Sequence, residues 1–278
     1  MRALAATLGV LAGMWWLGIG AVAAPPSSAP ASVNADDVRI DNSGTTLVAT
    51  GHVAVVYGTL RVASDALRIY RPKGTATFTG HVAVTDERGR ASAQVAMITV
   101  VNESRVTEIV LTGGASVETR SYALLADRIV ADRQHNRLTA AGHATAFSQP
   151  DLIVTGALIT YEDDPQHAVV RGEGATPATI QNRDGRIRGT RIDVSRKSGQ
   201  ALVTGPVDAE IYDASVTGAD ATIDLARATA VFTGHVTVSR QQGRLLADRL
   251  TVYYRVKRFV AEGATRMTFS DRDDSSSP

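Results

Sequence analysis

Apolar and polar residues alternate along most of this chain with a period of two, the spacing of strands that bury one face. The clearest runs follow a glycine: Gly51-His52-Val53-Ala54-Val55, Gly80-His81-Val82-Ala83-Val84 and Gly234-His235-Val236-Thr237-Val238. Looser copies start at Gly113, Gly142, Gly174, Gly205 and Gly263, giving successive spacings of 29, 33, 29, 32, 31, 29 and 29 residues. A second mark is Ala-Asp followed by alternation, at Ala126-Asp127-Arg128-Ile129 and Ala247-Asp248-Arg249-Leu250-Thr251-Val252-Tyr253. Asp36, Asp65, Gln94, Gly156, Thr190 and Asp220 occupy the Asp position in related copies, with spacings of 29, 29, 33, 29, 34, 30 and 28. Two independent marks that keep one period define an internal repeat.

Each unit of about 30 residues holds two antiparallel strands, so about eight units predict about sixteen strands in a stack roughly 75 Å long. Turn signals separate the strands: Arg71-Pro72-Lys73-Gly74, Glu87-Arg88-Gly89-Arg90, Asn182-Arg183-Asp184-Gly185 and Gln241-Gln242-Gly243. The two marks fall inside strands, where a glycine signals a bulge or sharp bend. Bending every strand at one place folds the stack into two facing sheets.

The ends read differently. Leu4 to Val22 is almost wholly apolar and closes on Ala21-Val22-Ala23, the small-residue pattern of a cleavage site after Ala23. Residues 1–23 are expected to be a signal helix directing export, with an uncleaved anchor as the alternative, since the run is about long enough to span a bilayer. Residues 24–34, rich in Pro, Ser and Ala, are expected to be a flexible linker, residues 35–270 the all-β domain (divisible into tandem units at 35–147 and 148–270), and residues 271–278 a solvated tail.

Composition narrows the functional classes. The 278 residues carry 29 Lys+Arg against 28 Asp+Glu, and a net charge of +1 argues against nucleic acid as a partner. With no cysteine there are no disulfides, thiol chemistry or Cys-ligated metals. No phosphate-binding glycine loop, serine nucleophile elbow or zinc signature is present, so neither cofactor, metal nor catalytic residue is expected.

The segments Phe78-Thr79-Gly80-His81-Val82-Ala83-Val84 and Phe232-Thr233-Gly234-His235-Val236-Thr237-Val238 resemble the "TGNV" strands of the LptA/OstA family. Ser64-Asp65-Ala66-Leu67-Arg68-Ile69-Tyr70 and Leu246-Ala247-Asp248-Arg249-Leu250-Thr251-Val252-Tyr253 resemble its "ADxLxVY" strands, and Ala261-Glu262-Gly263 resembles the opening of a further repeat. The resemblance runs from about Asp36 to Phe269. It implies an elongated, slightly twisted, V-shaped β-jellyroll stack in the periplasm of a Gram-negative cell. It also implies a non-enzymatic role: shielding the acyl chains of lipopolysaccharide between the inner and outer membranes. Implied partners are lipopolysaccharide or a related lipid, other jellyroll components joined by edge-strand pairing, and a second copy joined head to tail. The family includes a membrane-anchored LptC component, which is the alternative role. This chain departs by placing His where the family has Asn after the glycine.

The positions expected to face inward and line a lipid groove are Val53, Val55, Val62, Leu67, Ile69, Val82, Val84, Val117, Ile129, Leu158, Ile192, Val194, Val207, Val236, Val238, Leu250 and Val252. Ala115, Ala144, Ala146 and Ala209 occupy equivalent places and are expected to leave space for an acyl chain. The competing reading is a structural or adhesive β-solenoid with a closed, dry core; a polysaccharide-lyase β-helix lacks the cluster of catalytic charges it would need. His52, His81, His143 and His235 are read as outer polar residues at strand bends, with no carboxylate recurring beside them. Asp65, Asp127, Asp220 and Asp248 are read as hydrogen-bond acceptors at those bends rather than catalytic acids. Two basic clusters, Arg61, Arg68, Arg71 and Lys73, then Arg244, Arg249, Arg255, Lys257 and Arg258, suit either anionic lipid phosphates or protected sheet edges.

Overall fold

A computed structural model describes residues 32–269 apart from 42, 58, 88, 102–104, 121, 149–151, 163–165, 183–184, 196, 225 and 242. The expected signal helix, most of the linker and the tail lie outside the described residues.

Two short strands, β1 (Ser32–Asn34) and β2 (Asp37–Ile40), open the fold. Eight long ones follow: β3 (Thr46–Tyr57), β4 (Leu60–Tyr70), β5 (Thr75–Thr85), β6 (Gly89–Val101), β7 (Arg105–Thr119), β8 (Tyr122–Asp132), β9 (Arg137–Ser148) and β10 (Leu152–Glu162). Next come eight strands of five residues: β11 (His167–Arg171), β12 (Ala178–Asn182), β13 (Gly185–Gly189), β14 (Arg191–Ser195), β15 (Gln200–Thr204), β16 (Val207–Ile211), β17 (Ala214–Gly218) and β18 (Asp220–Asp224). Two more long strands, β19 (Thr229–Arg240) and β20 (Gly243–Tyr253), lead to the short β21 (Arg258–Glu262) and β22 (Arg266–Phe269). Every pairing is antiparallel.

Each long strand crosses a bend. Pairing of β3 with β4 skips between Thr50 and Val53, β5 with β6 between Thr79 and Val82, and β19 with β20 between Thr233 and Val236. At those skips sit Gly51 (φ 77°), Gly80 (φ 76°) and Gly234 (φ 80°), each followed by a histidine with φ between 45° and 51°. Two consecutive left-handed residues turn the strand out of its plane, which glycine tolerates and a side chain resists. Beneath Gly51, Gly80 and Gly142 lie the carboxylates of Asp36, Asp65 and Asp127, so close that a Cβ would collide with them.

The bends divide the structure into two ladders that face each other. One runs β2, residues 46–50 of β3, residues 66–70 of β4, and so on to residues 158–162 of β10, then β11, β14, β15, β18, and residues 229–233 of β19 to β21. The other runs β1, residues 53–57 of β3, and on to residues 153–155 of β10, then β12, β13, β16, β17, and residues 237–239 of β19 to β22.

In the middle of the chain the strands do not bend; they break. Gly205-Pro206 separates β15 from β16, and Pro177 precedes β12, where proline withholds a ladder donor. The expectation of two long strands per unit therefore fails between β11 and β18, and of the recurrent glycines Gly174, Gly205 and Gly263 lie between strands rather than within them. The last three residues of the expected linker form β1, paired with Val56, Val55 and Ala54 of β3. One contiguous apolar cluster extends from Ala49 to Tyr254, and β9 pairs with β10 straight across the 147/148 boundary.

Candidate functional site

The space between the ladders is where an apolar ligand could be held. Each rung sends two kinds of residue into it, one beside the bend and one nearer the hairpin tips. Beside the bend, burial is complete along the stack: Ala49, Leu67, Phe78 and Leu111 in one ladder, Val53, Val82 and Ala115 in the other.

The tip-side residues divide the molecule. From β3 to β7, Leu47, Ile69, Ala76, Ile98 and Ile109 in one ladder and Val55, Val84, Ala91 and Val117 in the other are only half-buried against the core, with Val62, between Val55 and Val84, the buried exception. From β9 to β19 the corresponding residues are sealed: Leu138, Tyr161, Ala168, Val194, Ala201 and Ile223 in one ladder and Ala146, Val154, Ile180, Ile187, Ala209 and Val216 in the other are all buried. The interior is thus parted over its first rungs and closed over the rest.

Of the seventeen sequence-derived positions, Val53, Val62, Leu67, Val82, Ile129, Ile192, Val194, Val207, Val236, Val238, Leu250 and Val252 are buried in the core. Val55, Ile69, Val84 and Val117 are half-buried and packed against it. Leu158 is misplaced by simple alternation. Pairing of β10 with β9 shifts between Gly156 and Leu158, which reverses the parity, so Ile159 and Tyr161 point inward in its place. The alanines expected to leave room do not: Ala115, Ala144, Ala146 and Ala209 are all enclosed in the cluster. Phe78 and Phe232, missed from the sequence, precede the glycine mark by two residues and are buried beside it.

Inside the closed part, a cavity of about 10 Å³ lies among Ile180, Arg186, Ile187, Ile211, Ile223 and Tyr254. That is room for about one water. The Tyr254 hydroxyl is buried without a hydrogen-bond partner, and burial pushes its pKa up. Its carbonyl accepts a hydrogen bond from the Tyr212 hydroxyl at 3.0 Å, while the Lys257 ammonium lies 4.9 Å from the Tyr212 ring centre.

Charge divides less sharply: Arg90 in the first stretch is tied to Glu118, and Arg171 and Lys197 in the closed one have no ion-pair partner among the described residues. Arg71 and Lys73 occupy the turn joining Ile69 to Ala76, and Arg120 follows the end of β7; none of the three has an ion-pair partner among the described residues. Around the closed part, Arg137 is tied to Glu162, Arg186 to Glu210, Arg188 to Asp208, Arg191 to Asp193 and Arg227 to Asp224. The Arg191 hydrogen bonds hold the Asp193 carboxyl below its usual range.

On the outer side of the bends the expectation about histidine needs correction. Carboxylates do recur beside it: Nδ1 of His52, His81 and His143 donates to Asp36, Asp65 and Asp127 at 2.8, 2.8 and 2.9 Å. An offset of sixteen residues from aspartate to histidine, the same in all three pairs, carried this signal. At the last bend Asp248 accepts instead from the Ala264 amide at 2.8 Å. These side chains are solvent-exposed, and no group of three or more His, Asp or Glu able to hold a metal occurs among the described residues. The bonds pin the bend; they build no reactive centre.

Comparison with known proteins adds the following. Residues 32–200 and 215–277 match the family model described as LptA/(LptD N-terminal domain) LPS transport protein. Among solved structures, LptH, the LptA-homologous periplasmic component of the lipopolysaccharide transport device of Pseudomonas aeruginosa, is 13% identical, with 57% of this chain and 99% of that chain covered and a TM-score of 0.37. Hsv2 of Kluyveromyces lactis is 7% identical over 86% of this chain and 98% of its own, with a TM-score of 0.15. At such scores neither likeness bears on function. No curated protein sequence matches the chain.

Proposed function

The chain belongs to the LptA/LptD N-terminal domain family of LPS transport proteins, and from that premise we propose that it carries lipopolysaccharide or a related lipid across the periplasm with the acyl chains held between its two ladders. The family match over most of the described residues carries the reading, and the half-buried aliphatic residues from Leu47 to Val117 support it. Each methylene that leaves water for such a surface contributes about 0.8 kcal/mol, while the headgroup stays solvated. The process is passive binding and release; energy for directional movement comes from ATP hydrolysis elsewhere. The family is one of transport proteins, so no reaction is assigned.

Export by residues 1–23, or anchoring by them in an LptC-like role, completes the reading at the amino terminus. Partners of the same jellyroll kind, or a second copy, are proposed to add to the end rungs. Among the described residues β1 and β2 pair only with β3, and β21 and β22 only with β20, with Val38, Ile40, Met267 and Phe269 exposed at these end rungs.

Mass spectrometry of lipids co-purifying with the protein from a periplasmic extract tests the carrier reading. Lipopolysaccharide is expected. A lipid-free protein that also fails to bind purified lipopolysaccharide overturns it. Met267→Pro is expected to abolish association at the carboxyl end without unfolding the central rungs; normal assembly by that variant overturns edge docking.

A further inference from the structure

We propose that the acyl chains occupy only the amino-terminal part of the interior, between the rungs of β3 to β7, and that the part from β9 to β19 is a closed β-sandwich that holds no lipid. The inference rests on the carrier reading above and adds where in this molecule the cargo sits.

Two observations carry the inference and a third adds the chemistry of the headgroup. The first is burial at matched places. In one ladder Ile69 and Ile98 are half-buried, whereas Val194 and Ile223 are sealed; in the other Val84 and Val117 are half-buried, whereas Ile180 and Ala209 are sealed. Only the half-buried set has apolar surface left to give to a ligand.

The second is room. The cavity in the closed part is about 10 Å³. Sites that enclose small ligands measure about 300–1,000 Å³. An acyl chain enters there only if the two ladders separate and expose Tyr161, Val194, Ile223 and their neighbours to water.

The third is charge. Phosphates of an anionic lipid need cations not already neutralised. Arg71, Lys73 and Arg120 meet that condition at the tips of the open rungs, next in sequence to half-buried Ile69, Ala76 and Val117. In the closed part Arg186, Arg188 and Arg191 are already held by Glu210, Asp208 and Asp193, and the unpaired Arg171 and Lys197 adjoin sealed rather than half-buried apolar residues. Charge-assisted bonds to phosphate are therefore available where the aliphatic surface is open.

The closed part then acts as a rigid spacer that continues the two ladders without carrying cargo. That division assigns to one chain both functions that the sequence offered as alternatives, a lipid-holding interior and a dry solenoid.

The test uses the full chain and purified lipopolysaccharide. A photo-crosslinking phenylalanine analogue replaces, one at a time, Val55, Val84 and Ile98 in the open part, Ala146, Ile180 and Ile223 in the closed part, and outward Ala83 as background. Labelling at the first three is expected at about fivefold or more over Ala83, with the second three at background. Equal labelling of both sets overturns the confinement and leaves the carrier reading standing. Labelling nowhere, together with loss of binding by the unmodified chain, overturns both. Because a bulky residue can disturb buried Ile180 or Ile223, a second measurement avoids the core. The double variant Arg71→Glu/Lys73→Glu is expected to weaken lipopolysaccharide binding about tenfold, and Arg227→Glu, on the closed part, less than about twofold. Similar losses from the two variants, with folding intact by circular dichroism, overturn the proposal.

Discussion

Residues 46–119 and residues 137–240 follow one plan, two facing ladders meeting at a line of bends, yet the first stretch leaves its interior parted and the second closes it. In the first, strands run unbroken through the bend, where Gly51 and Gly80 are seated on carboxylates and fastened by histidine and Gly113 is seated on Gln94. In the second, most strands stop at the bend, where Gly174 faces open space and Gly205 sits on Thr190; β19 crosses it, with Gly234 on Ala219. The bend alone does not set the opening, because β9 still crosses on Gly142 over Asp127 while its tip-side Leu138 and Ala146 are already buried. The bend determines where the backbone turns. The rungs stacked on either side determine how far the ladders part, since each apolar face is buried on its neighbours as well as across the gap.

The sharpest way to break this comparison is to remove equivalent apolar groups from the two stretches. Val194, sealed in the closed part, is expected to cost about 2–3 kcal/mol when replaced by Ala. Val84→Ala in the open part is expected to cost about 1 kcal/mol, because part of that side chain already meets water. Equal shifts of the chemical-denaturation midpoint would erase the distinction.

A comparable effect separates the two kinds of bend. Gly80→Ala places a Cβ against the Asp65 carboxylate at φ 76° and is expected to cost about 2–3 kcal/mol. At Gly174, where nothing lies within 4 Å of a new Cβ, only the left-handed backbone opposes the change, at about 1 kcal/mol. Thermal unfolding of the two variants should rank them in that order.

Tyr254→Phe probes the seal itself. Its hydroxyl is buried without a partner, so removing it is expected to raise stability by about 1 kcal/mol. A loss of similar size would mean that the hydroxyl holds the closed part together.

The smallest effect concerns the pins. The hydrogen bond to Asp36, then its charge, raises the pKa of exposed His52 above 6.5. A raised folded-state pKa gives a contribution that is full below the unfolded value and fades as pH rises through the folded one. NMR titration of the His52 imidazole should show an upward-shifted midpoint that returns to the ordinary value in Asp36→Asn. Because the pair is solvent-exposed, His52→Ala should change stability only slightly at pH 5 and less at pH 8.

Much of this was readable from residue order. Period-two alternation marks strands, and the φ > 0 demanded at Gly51, Gly80, Gly113, Gly142 and Gly234 is a local property of glycine that needs no partner to be recognised. Twelve of the inward positions were found in the core for the same reason: alternation alone assigns a strand's faces. Where alternation is interrupted the assignment fails, as at Leu158, whose side of β10 depends on a register shift against β9. The pairing of His52 with Asp36 was hidden because the two belong to different strands, although their fixed offset along the chain was visible.

Sequence by itself therefore determined the all-β class, the bends at Gly51, Gly80 and Gly234 and the family resemblance, because alternation and glycine backbone freedom act within a few residues. That the strands break rather than bend between β11 and β18 came only from the structure. The tertiary structure alone decided that the interior is open at Val84 and closed at Val194. Both are valines at the fourth position after a repeat mark, in Gly80-His81-Val82-Ala83-Val84 and in Thr190-Arg191-Ile192-Asp193-Val194. What differs is whether the facing ladder comes close enough to exclude water, and that distance is set by side chains from many rungs at once.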